Sequence, residues 1–209
     1  MDNSQKTLDK HQRILEAATK FFLIHGFSGT TTDMIQKEAG VSKATLYSCY
    51  ENKENMFTAV IENECSIMRN EIIRIKIQSS NLRMALTEIG RKYLSVILSE
   101  KGTLLFRVCI AEAIRFPTLS NHFFQVGPEK MTKIIADCLD NACKENKIKL
   151  NNMNTERLAK MFLGLLRSEF HLKFLTHADL VFSSQDVNLW VEIVIEFFLK
   201  TLDYTETHN

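Results

Sequence analysis

The stretch "AGVSKATLYSCYENKE", residues 39–54, decides the fold of the first part of this chain. Gly40 ends one short segment with helical apolar spacing, and Ser42 stands where it can cap the next. Leu46 and Tyr50 are four residues apart, so both are expected to face inward from one helix. Two short helices joined by a tight turn with a glycine form a helix-turn-helix, and this stretch predicts one.

One further helix is predicted upstream of these two, and the first of the two has an expected cap of its own. In "ILEAATKFFLIHG", residues 14–26, the apolar residues recur at the spacing of a core-facing helix, which should end near His25 with Gly26 as its cap. Thr31 is the expected N-cap of the segment "TTDMIQKEA", in which Asp33 favours the positive end of the helix dipole. The first 54 residues are therefore predicted to form a three-helix domain.

Composition extends the all-helical prediction to the whole chain. Its 209 residues are 45% hydrophobic and include only seven glycines and two prolines, which favours long helices with short connections. We expect an all-α fold in which an N-terminal three-helix helix-turn-helix domain precedes a C-terminal helical bundle, with about nine helices in total. A long helix should run over residues 53–75, and others near 82–100, 103–115, 117–126, 129–146, 154–176 and 185–204.

Charge and cysteine content narrow the functional classes only a little. The formal net charge of +1 favours neither nucleic acid nor a membrane surface as a partner. No apolar run approaches the length of a membrane span, and the polar N-terminus does not resemble a signal peptide, so we expect a cytoplasmic protein. The five cysteines are odd in number, lie in no CxxC pair and have no metal-like spacing from histidines, so we expect reduced thiols and neither metal nor cofactor.

The outward face of the second short helix suits DNA. If Leu46 and Tyr50 face inward, small and hydroxyl-bearing residues are left outside, and the major groove accepts such a surface. Lys53 begins the next helix, where its ammonium and the free backbone N–H groups suit a phosphate. The candidate DNA-binding residues are Thr31, Thr32, Ser42, Lys43, Ala44, Thr45, Tyr47, Ser48, Cys49 and Lys53. The pattern alone also fits a helical module that binds protein, because acidic and basic residues balance over residues 1–60.

Residues 14–62 closely resemble the DNA-binding segment of the TetR family of bacterial transcriptional regulators. The resemblance is ungapped and includes the Ala39-Gly40-Val41-Ser42 run, the Leu46-Tyr47 pair and Lys53-Glu54. It implies that Thr31, Lys43, Thr45, Tyr47 and Lys53 lie at the DNA. Asp33 departs from the pattern, because some members hold a base-reading basic side chain there; a carboxylate could only accept from cytosine or repel phosphate.

The segments "LLFRVCIAEAIRFPTLSNHFFQVGP" (104–128) and "FLGLLRSEFHLKFL" (162–175) resemble the C-terminal domain of an AefR-like subgroup of that family. The resemblance implies that residues 55–209 bind a ligand and dimerise, with the last two long helices pairing with their twins. The candidate dimer residues are Leu158, Met161, Leu165, Trp190, Val194, Phe197 and Phe198. Filling of the monomer core would account for about half of them.

A small apolar effector is the expected ligand of the C-terminal domain. The residues that could line its cavity are Met68, Tyr93, Phe106, Cys109, Phe124, Phe162, Phe170 and His171. Ordinary core packing explains aromatic residues on a helical stripe equally well. Arg107, Glu112 and Arg115 share a helix face, where an internal ion pair or a ligand would each explain them.

These observations favour a ligand-responsive repressor that binds a palindromic operator as a dimer. Its two recognition helices would enter successive major grooves about 34–36 Å apart or somewhat more. An activator or dual regulator of the same fold remains open, as does a protein-interaction module without DNA binding. Enzyme motifs such as a Walker loop, HExxH or GxSxG are absent from the sequence.

Overall fold

The computed structural model describes residues 3–78, 81–145, 147–150, 153–177, 180 and 182–204, and every regular element within them is helical. The predicted all-α fold is confirmed. The elements are α1 (Asn3–Gly29), α2 (Thr32–Ala39), α3 (Lys43–Cys49), α4 (Lys53–Gln78), α5 (Leu82–Ile97), α6 (Glu100–Glu112), α7 (Pro117–Phe124), a π-helical turn (Gln125–Glu129), α8 (Lys130–Lys144), α9 (Thr155–Ser168), α10 (His171–Thr176) and α11 (Ser184–Thr201).

The chain divides into two compact units. The first comprises Met1–Ser66 and Leu104–Val126, and the second comprises Ile67–Thr103 and Gly127–Asn209. The first unit therefore holds α1 to α3, the first half of α4, most of α6, and α7. The assignment of DNA binding to residues 1–54, and of ligand binding and dimerisation to residues 55–209, stays a prediction.

Phenylalanines form the centre of the first unit. Phe22, Phe27 and Phe57 are fully buried, and the Phe57 ring centroid lies 5.0 Å from that of Phe22 and 5.4 Å from that of Phe27. Phe116 packs edge-on against Phe27 at 4.6 Å. Such ring pairs stabilise a core beyond the area they bury. This cluster joins α1 and α4 to the segment between α6 and α7.

The first helix is interrupted at Gly26, next to its predicted end. Gly26 has φ 72° and ψ 172°, a backbone conformation that glycine adopts at no steric cost. A second, short helical segment then reaches Gly29, so the predicted end of the first long helix near His25 is confirmed. The buried Thr30 hydroxyl lies 2.9 Å from the Phe21 carbonyl oxygen and 2.8 Å from that of Gly26, which gives it acceptors next to the interruption.

The turn between α2 and α3 is closed by backbone and side-chain hydrogen bonds. Thr31 caps α2 as predicted, accepting from the Met34 N–H at 3.2 Å. Gly40 ends α2 in the left-handed region with φ 61° and ψ 39°. The Val41 N–H donates to the Gln36 carbonyl at 3.3 Å, and the Gln36 side-chain amide donates back to the Val41 carbonyl at 2.7 Å. These bonds fix where α3 begins.

Arg13 of α1 holds the same turn from outside. Its guanidinium Nη2 donates to the carbonyl oxygens of Ala39 and Gly40, the second at 3.2 Å. The last carbonyls of a helix have no partner within the helix, and a cation there also complements the helix dipole. Arg13 therefore couples α1 to the α2–α3 turn.

The second unit packs α5 against α8, α9 and α11. A Cβ atom at Gly90 would lie 3.2 Å from Val191 and 3.3 Å from Leu166, so this glycine permits the close approach of α5 to α9 and α11. Gly102, expected to separate two helices, lies inside α6 instead. A Cβ atom there would collide with the Val96 carbonyl oxygen, so glycine allows the first turn of α6 to begin directly after α5.

The helix predicted over residues 154–176 is two helices, α9 and α10. The helix α9 ends at Ser168, and Phe170, just before α10, has φ −110° and ψ −37°, which lies in the right-handed region but far from the φ of a regular helix. The Phe170 ring is buried against Phe182, with ring centroids 4.5 Å apart. Burial of this ring accompanies the break.

Replacing Gly40 by alanine should lower the free energy of unfolding by about 1–2 kcal/mol, because an alanine in left-handed backbone is strained. The added Cβ would also lie 2.6 Å from Arg13 Nη2 and displace it. Gly29→Ala is the matched control, since its Cβ would meet only the His25 Cβ at an ordinary 3.6 Å. Denaturant unfolding measures both; equal stability of the two variants would contradict this account of the turn.

Candidate nucleic-acid interface

The helix α3, the second helix of the helix-turn-helix, is anchored by a buried side chain and capped at its N-terminus. Leu46 is fully buried, as predicted. Tyr50 follows the helix as its C-terminal cap and is only half-buried, its ring edge-on to His11 with centroids 5.7 Å apart. Ser42 accepts from the Thr45 N–H at 3.1 Å, which confirms it as the N-cap. α3 therefore presents its remaining side chains outward.

Two outward side chains of α3 contact α2 through an ion pair and a hydrogen bond. Lys43 Nζ lies 3.1 Å from Asp33 Oδ1, and the hydroxyls of Thr32 and Tyr47 are 3.3 Å apart. The hydrogen bond and the negative charge of Asp33 raise the pKa of Lys43. One exposed surface thus carries a cation, a carboxylate and two hydroxyls.

The Lys53 side chain already makes two contacts within the protein, which its position in the sequence did not indicate. Its ammonium donates to the Thr30 carbonyl at 3.0 Å and lies 4.4 Å from the centroid of the Phe27 ring. A lysine ammonium has three N–H donors, so two remain after the bond to Thr30. Asn52 accepts from the Asn55 N–H at 2.8 Å at the start of α4. Lys53 both ties α4 to the segment before α2 and stands beside a helix N-terminus.

The ten candidate DNA-binding residues lie on one continuous part of the chain, from Thr31 to Lys53. Exposed side chains belong to Thr31, Ser42, Lys43, Ala44, Tyr47 and Ser48, and half-buried ones to Thr32, Thr45, Cys49 and Lys53. Besides those of Thr32 and Tyr47, three of these hydroxyls are already bonded: Thr45 Oγ1 lies 2.9 Å from Ser42 Oγ, and Ser48 donates to the Thr45 carbonyl at 2.8 Å. The arrangement offers the small polar surface that a major groove accepts.

Glu112 adds a link that the sequence did not reveal. Its buried carboxylate accepts from the Ser28 N–H at 2.8 Å and from the Ser28 hydroxyl at 2.9 Å, while Arg115 donates to that hydroxyl at 3.3 Å. Neither of the two explanations considered for this helix face, an internal ion pair or a ligand, describes this bond. The carboxylate ties the end of α6 to the segment just before α2.

The candidate effector residues are divided between the two units. Phe106, Cys109 and Phe124 belong to the first unit, where Phe124 is 59% exposed and Phe106 packs on Phe123 at 4.9 Å. Burial raises the pKa of the Cys109 thiol to about 12, so it stays protonated at neutral pH. The candidates in the second unit are Met68, Tyr93, Phe162, Phe170 and His171, of which all but the half-buried His171 are buried.

A cavity of about 520 Å³ lies in the second unit, and none of these candidates lines it. Its apolar wall includes Leu94, Leu98, Phe174 and Val187. Its polar lining includes Arg91, whose Nη1 bonds to Glu88 at 2.8 Å. A cavity of this size with a more apolar than polar lining suits a small, largely apolar molecule that carries a few polar groups.

The candidate dimer residues separate into core and surface. Leu158, Val194 and Phe198 are buried within the second unit, and the Trp190 indole N–H donates to the Leu166 carbonyl at 3.1 Å. Met161 and Phe197 are exposed, Phe197 by 58%, while Leu165 is half-buried. Two residues that the sequence analysis did not select, Leu189 and Ile193, are exposed on the same helix as Phe197.

Two negative findings apply to the described residues. None of their helices is long and apolar enough to cross a membrane. No group of three or more histidine, cysteine, aspartate or glutamate side chains among them could hold a metal ion.

The geometry defines the class of helix-turn-helix DNA-binding proteins, and comparisons with known proteins identify the family. Residues 14–60 match the family model of the bacterial regulatory proteins of the tetR family, and residues 84–202 match the C-terminal domain of AefR-like transcriptional repressors. The chain therefore belongs to the TetR family, and it is a transcriptional regulator rather than an enzyme.

One solved structure shares the fold of this chain, and a second solved structure and a curated relative agree with the family assignment. A TetR-family regulator from Mesorhizobium loti has a TM-score of 0.85 at 24% identity, covering 96% of this chain and 98% of that one. The flavonoid-responsive regulator FrrA has a TM-score of 0.75 at 30% identity, covering 92% and 96%. The uncharacterized regulator YhgD of Bacillus subtilis is 43% identical over 54 residues, 26% of this chain and little more than a quarter, 28%, of YhgD.

Acid should destabilise the fold through His171. Burial and the nearby charge of Arg167 lower its pKa to about 4, against about 6.5 in an unfolded chain. Below pH ~6.5 the unfolded chain therefore takes up a proton that the folded chain does not, and stability falls as the pH drops towards about 4. His171→Gln should remove this part of the pH dependence, measured by urea unfolding between pH 7 and 5. His177→Gln, an exposed histidine, is the control; identical pH profiles for both variants would contradict the assignment.

Proposed function

We propose that this chain is a ligand-responsive repressor that binds a palindromic operator as a homodimer. The observation that carries the proposal is the exposed face of α3, which is capped by Ser42, fixed by the buried Leu46 and lined by small and hydroxyl-bearing side chains. Helix-turn-helix proteins place such a helix in the major groove and contact base edges with its N-terminal residues. The match to a domain of transcriptional repressors supports repression over activation.

The proposed contacts divide into phosphate and base contacts. Lys53 stands at the N-terminus of α4 with two remaining donors, which suits a phosphate oxygen. Thr31 and Tyr47 carry exposed hydroxyls that can also donate to the DNA backbone. Lys43, Ala44, Thr45 and Ser48 begin or face outward from α3 and are proposed to meet base edges.

The proposed dimer surface lies on α9 and α11. Leu189, Ile193 and Phe197 follow one another at four-residue spacing on α11 and are at least half exposed, and Met161 is exposed on α9. Apolar side chains repeated on one face of a helix favour burial against another helix. TetR-family regulators act as dimers, and a two-fold pairing of α9 and α11 with their twins would bury this stripe in a four-helix arrangement.

The proposed effector is a small, largely apolar molecule bound in the second unit. The structurally similar FrrA is described as flavonoid-responsive, which supports a ligand of this kind for the present chain. The helix α4 begins at Lys53 beside α3 and continues into the second unit. An effector that binds one tilt of α4 more tightly would shift the spacing of the two recognition helices and weaken operator binding.

Selection of random duplex DNA by the purified protein, followed by titrations at several salt concentrations, tests this function. We expect a two-fold symmetric site and an affinity that falls steeply with salt, since each phosphate contact releases counterions. Weak, unselective binding with a shallow salt dependence, also after refolding to strip any bound ligand, would contradict the proposal and favour a protein-interaction module.

The variants Lys53→Met and Thr45→Val should separate phosphate from base contacts. Lys53→Met should weaken binding to all duplexes alike and reduce the salt slope by about one unit per protomer. It should also lower stability, because the bond to Thr30 and the contact with the Phe27 ring are lost. Thr45→Val should change the preference among operator variants and leave the salt slope unchanged. If each variant changed the affinity for every duplex by the same factor, this division of roles would be wrong.

The substitution Phe197→Glu should convert the dimer to a folded monomer. The side chain is largely exposed in one chain, so its loss should leave thermal unfolding nearly unchanged, while a carboxylate inside an apolar interface is strongly unfavourable. Sedimentation measures the oligomeric state. Ile114→Glu, which changes a residue that is 95% exposed outside this surface, should leave the dimer intact. A Phe197→Glu protein that still sediments as a dimer would contradict the proposed interface.

A further inference from the structure

The ion pair between Asp33 and Lys43 is not explained by the stability of the fold. Both side chains are more than half exposed, at 62% and 61%. Exposed ion pairs contribute little to stability, because water screens them and both side chains lose rotamer freedom. The buried residues Ile35, Ala39 and Leu46 hold α2 and α3 without this pair.

The position of the pair gives it another use. Lys43 is the first residue of α3, and Asp33 is the second residue of α2, so the pair spans the N-terminal ends of both helices. The bond between the Thr32 and Tyr47 hydroxyls bridges the same two helices on an exposed surface. Ala44 follows Lys43 directly and is exposed and small, which permits close approach of a flat surface. These residues belong to the part of a helix-turn-helix that meets base edges.

A carboxylate at such a surface acts on DNA in two opposite ways. It repels every phosphate, so it weakens binding to all sequences. It can also accept from the exocyclic amino group of cytosine in the major groove, while a neighbouring ammonium donates to O6 or N7 of guanine. A donor and an acceptor 3.1 Å apart therefore complement the guanine acceptors and the cytosine amino group, which lie side by side on the major-groove edge of one G·C base pair.

We propose that Asp33 and Lys43 act together as a specificity element that selects a G·C base pair in each half of the operator. Asp33 keeps Lys43 from a phosphate oxygen in the absence of that base pair and accepts from the cytosine in its presence. Asp33 is thus a specificity-determining residue that lowers the affinity for unrelated DNA. This inference rests on the proposed DNA binding.

The variant Asp33→Ala distinguishes this role from a structural one. Removal of the Asp33 carboxylate frees Lys43 for a phosphate. The affinity for an unrelated duplex should therefore rise, and the salt slope should steepen by about one unit per protomer. Discrimination against exchange of one G·C pair per half-site, about tenfold or more in the wild type, should fall to less than about threefold. Asp33→Asn, which keeps the side-chain size without the charge, should also raise the affinity for unrelated DNA.

Glu38→Ala is the matched control. Glu38 lies at the other end of α2 and pairs with Lys20 at 2.5 Å, so its removal changes the net charge and breaks an exposed ion pair in the same way. We expect it to leave base-pair discrimination unchanged and to affect the salt slope less than Asp33→Ala does.

Two outcomes would overturn the inference. An Asp33→Ala protein that keeps every base preference of the wild type shows that Asp33 reads no base. A protein that loses affinity for all duplexes equally and unfolds at a lower temperature shows instead that Asp33 only stabilises the N-terminus of α2. A wild-type protein that selects no duplex contradicts the proposed function as well, so the two failures are distinguishable.

Discussion

The orientation of the recognition helix depends on one turn, in which Gly40 adopts left-handed backbone and Arg13 binds the carbonyls that end α2. Without the glycine conformation α2 could not stop before Val41, and without the guanidinium its last carbonyls would lack these partners. Because the turn spans only Gly40 to Ser42, a small change in its backbone would redirect all of α3. The proposed DNA contacts on α3 rely on this turn remaining rigid.

A second set of buried or half-buried polar contacts fixes the segment just before α2. Thr30 places its hydroxyl near two carbonyls of α1 and offers its own carbonyl to Lys53, while Ser28 bonds to the buried carboxylate of Glu112. A buried carboxylate is costly unless its oxygens accept hydrogen bonds, so the Ser28–Glu112 contact is sensitive to any shift of either partner. Within the first unit, α4 and α6 are thereby both tied to the residues that lead into the helix-turn-helix.

The sequence predicted best where the structure is local. The caps by Thr31 and Ser42 and the burial of Leu46 follow from interactions within four residues, and the long α4 follows from sustained apolar spacing. Arg13 bonds to Ala39 and Gly40, which lie 26 and 27 positions further along the chain, and nothing in the sequence signals this contact. The same holds for the contact of Glu112 with Ser28.

The apolar stripes of α9 and α11 show a different limit. Spacing identifies Leu158, Met161, Val194 and Phe197 as apolar stripe residues, but it does not determine which of them the chain itself covers. That outcome depends on where neighbouring helices pack, so Leu158 and Val194 are core while Met161 and Phe197 are exposed. The same dependence on packing explains why Gly102 lies inside a helix rather than between two.

The most direct test of the central claim, that two α3 helices read successive major grooves, is methylation interference on the selected duplex. Guanine N7 faces the major groove, so the account predicts that its methylation abolishes binding at two symmetric clusters on one side of the duplex, about one helical turn or somewhat more apart. Interference confined to the minor groove, or at a single asymmetric cluster, would contradict it.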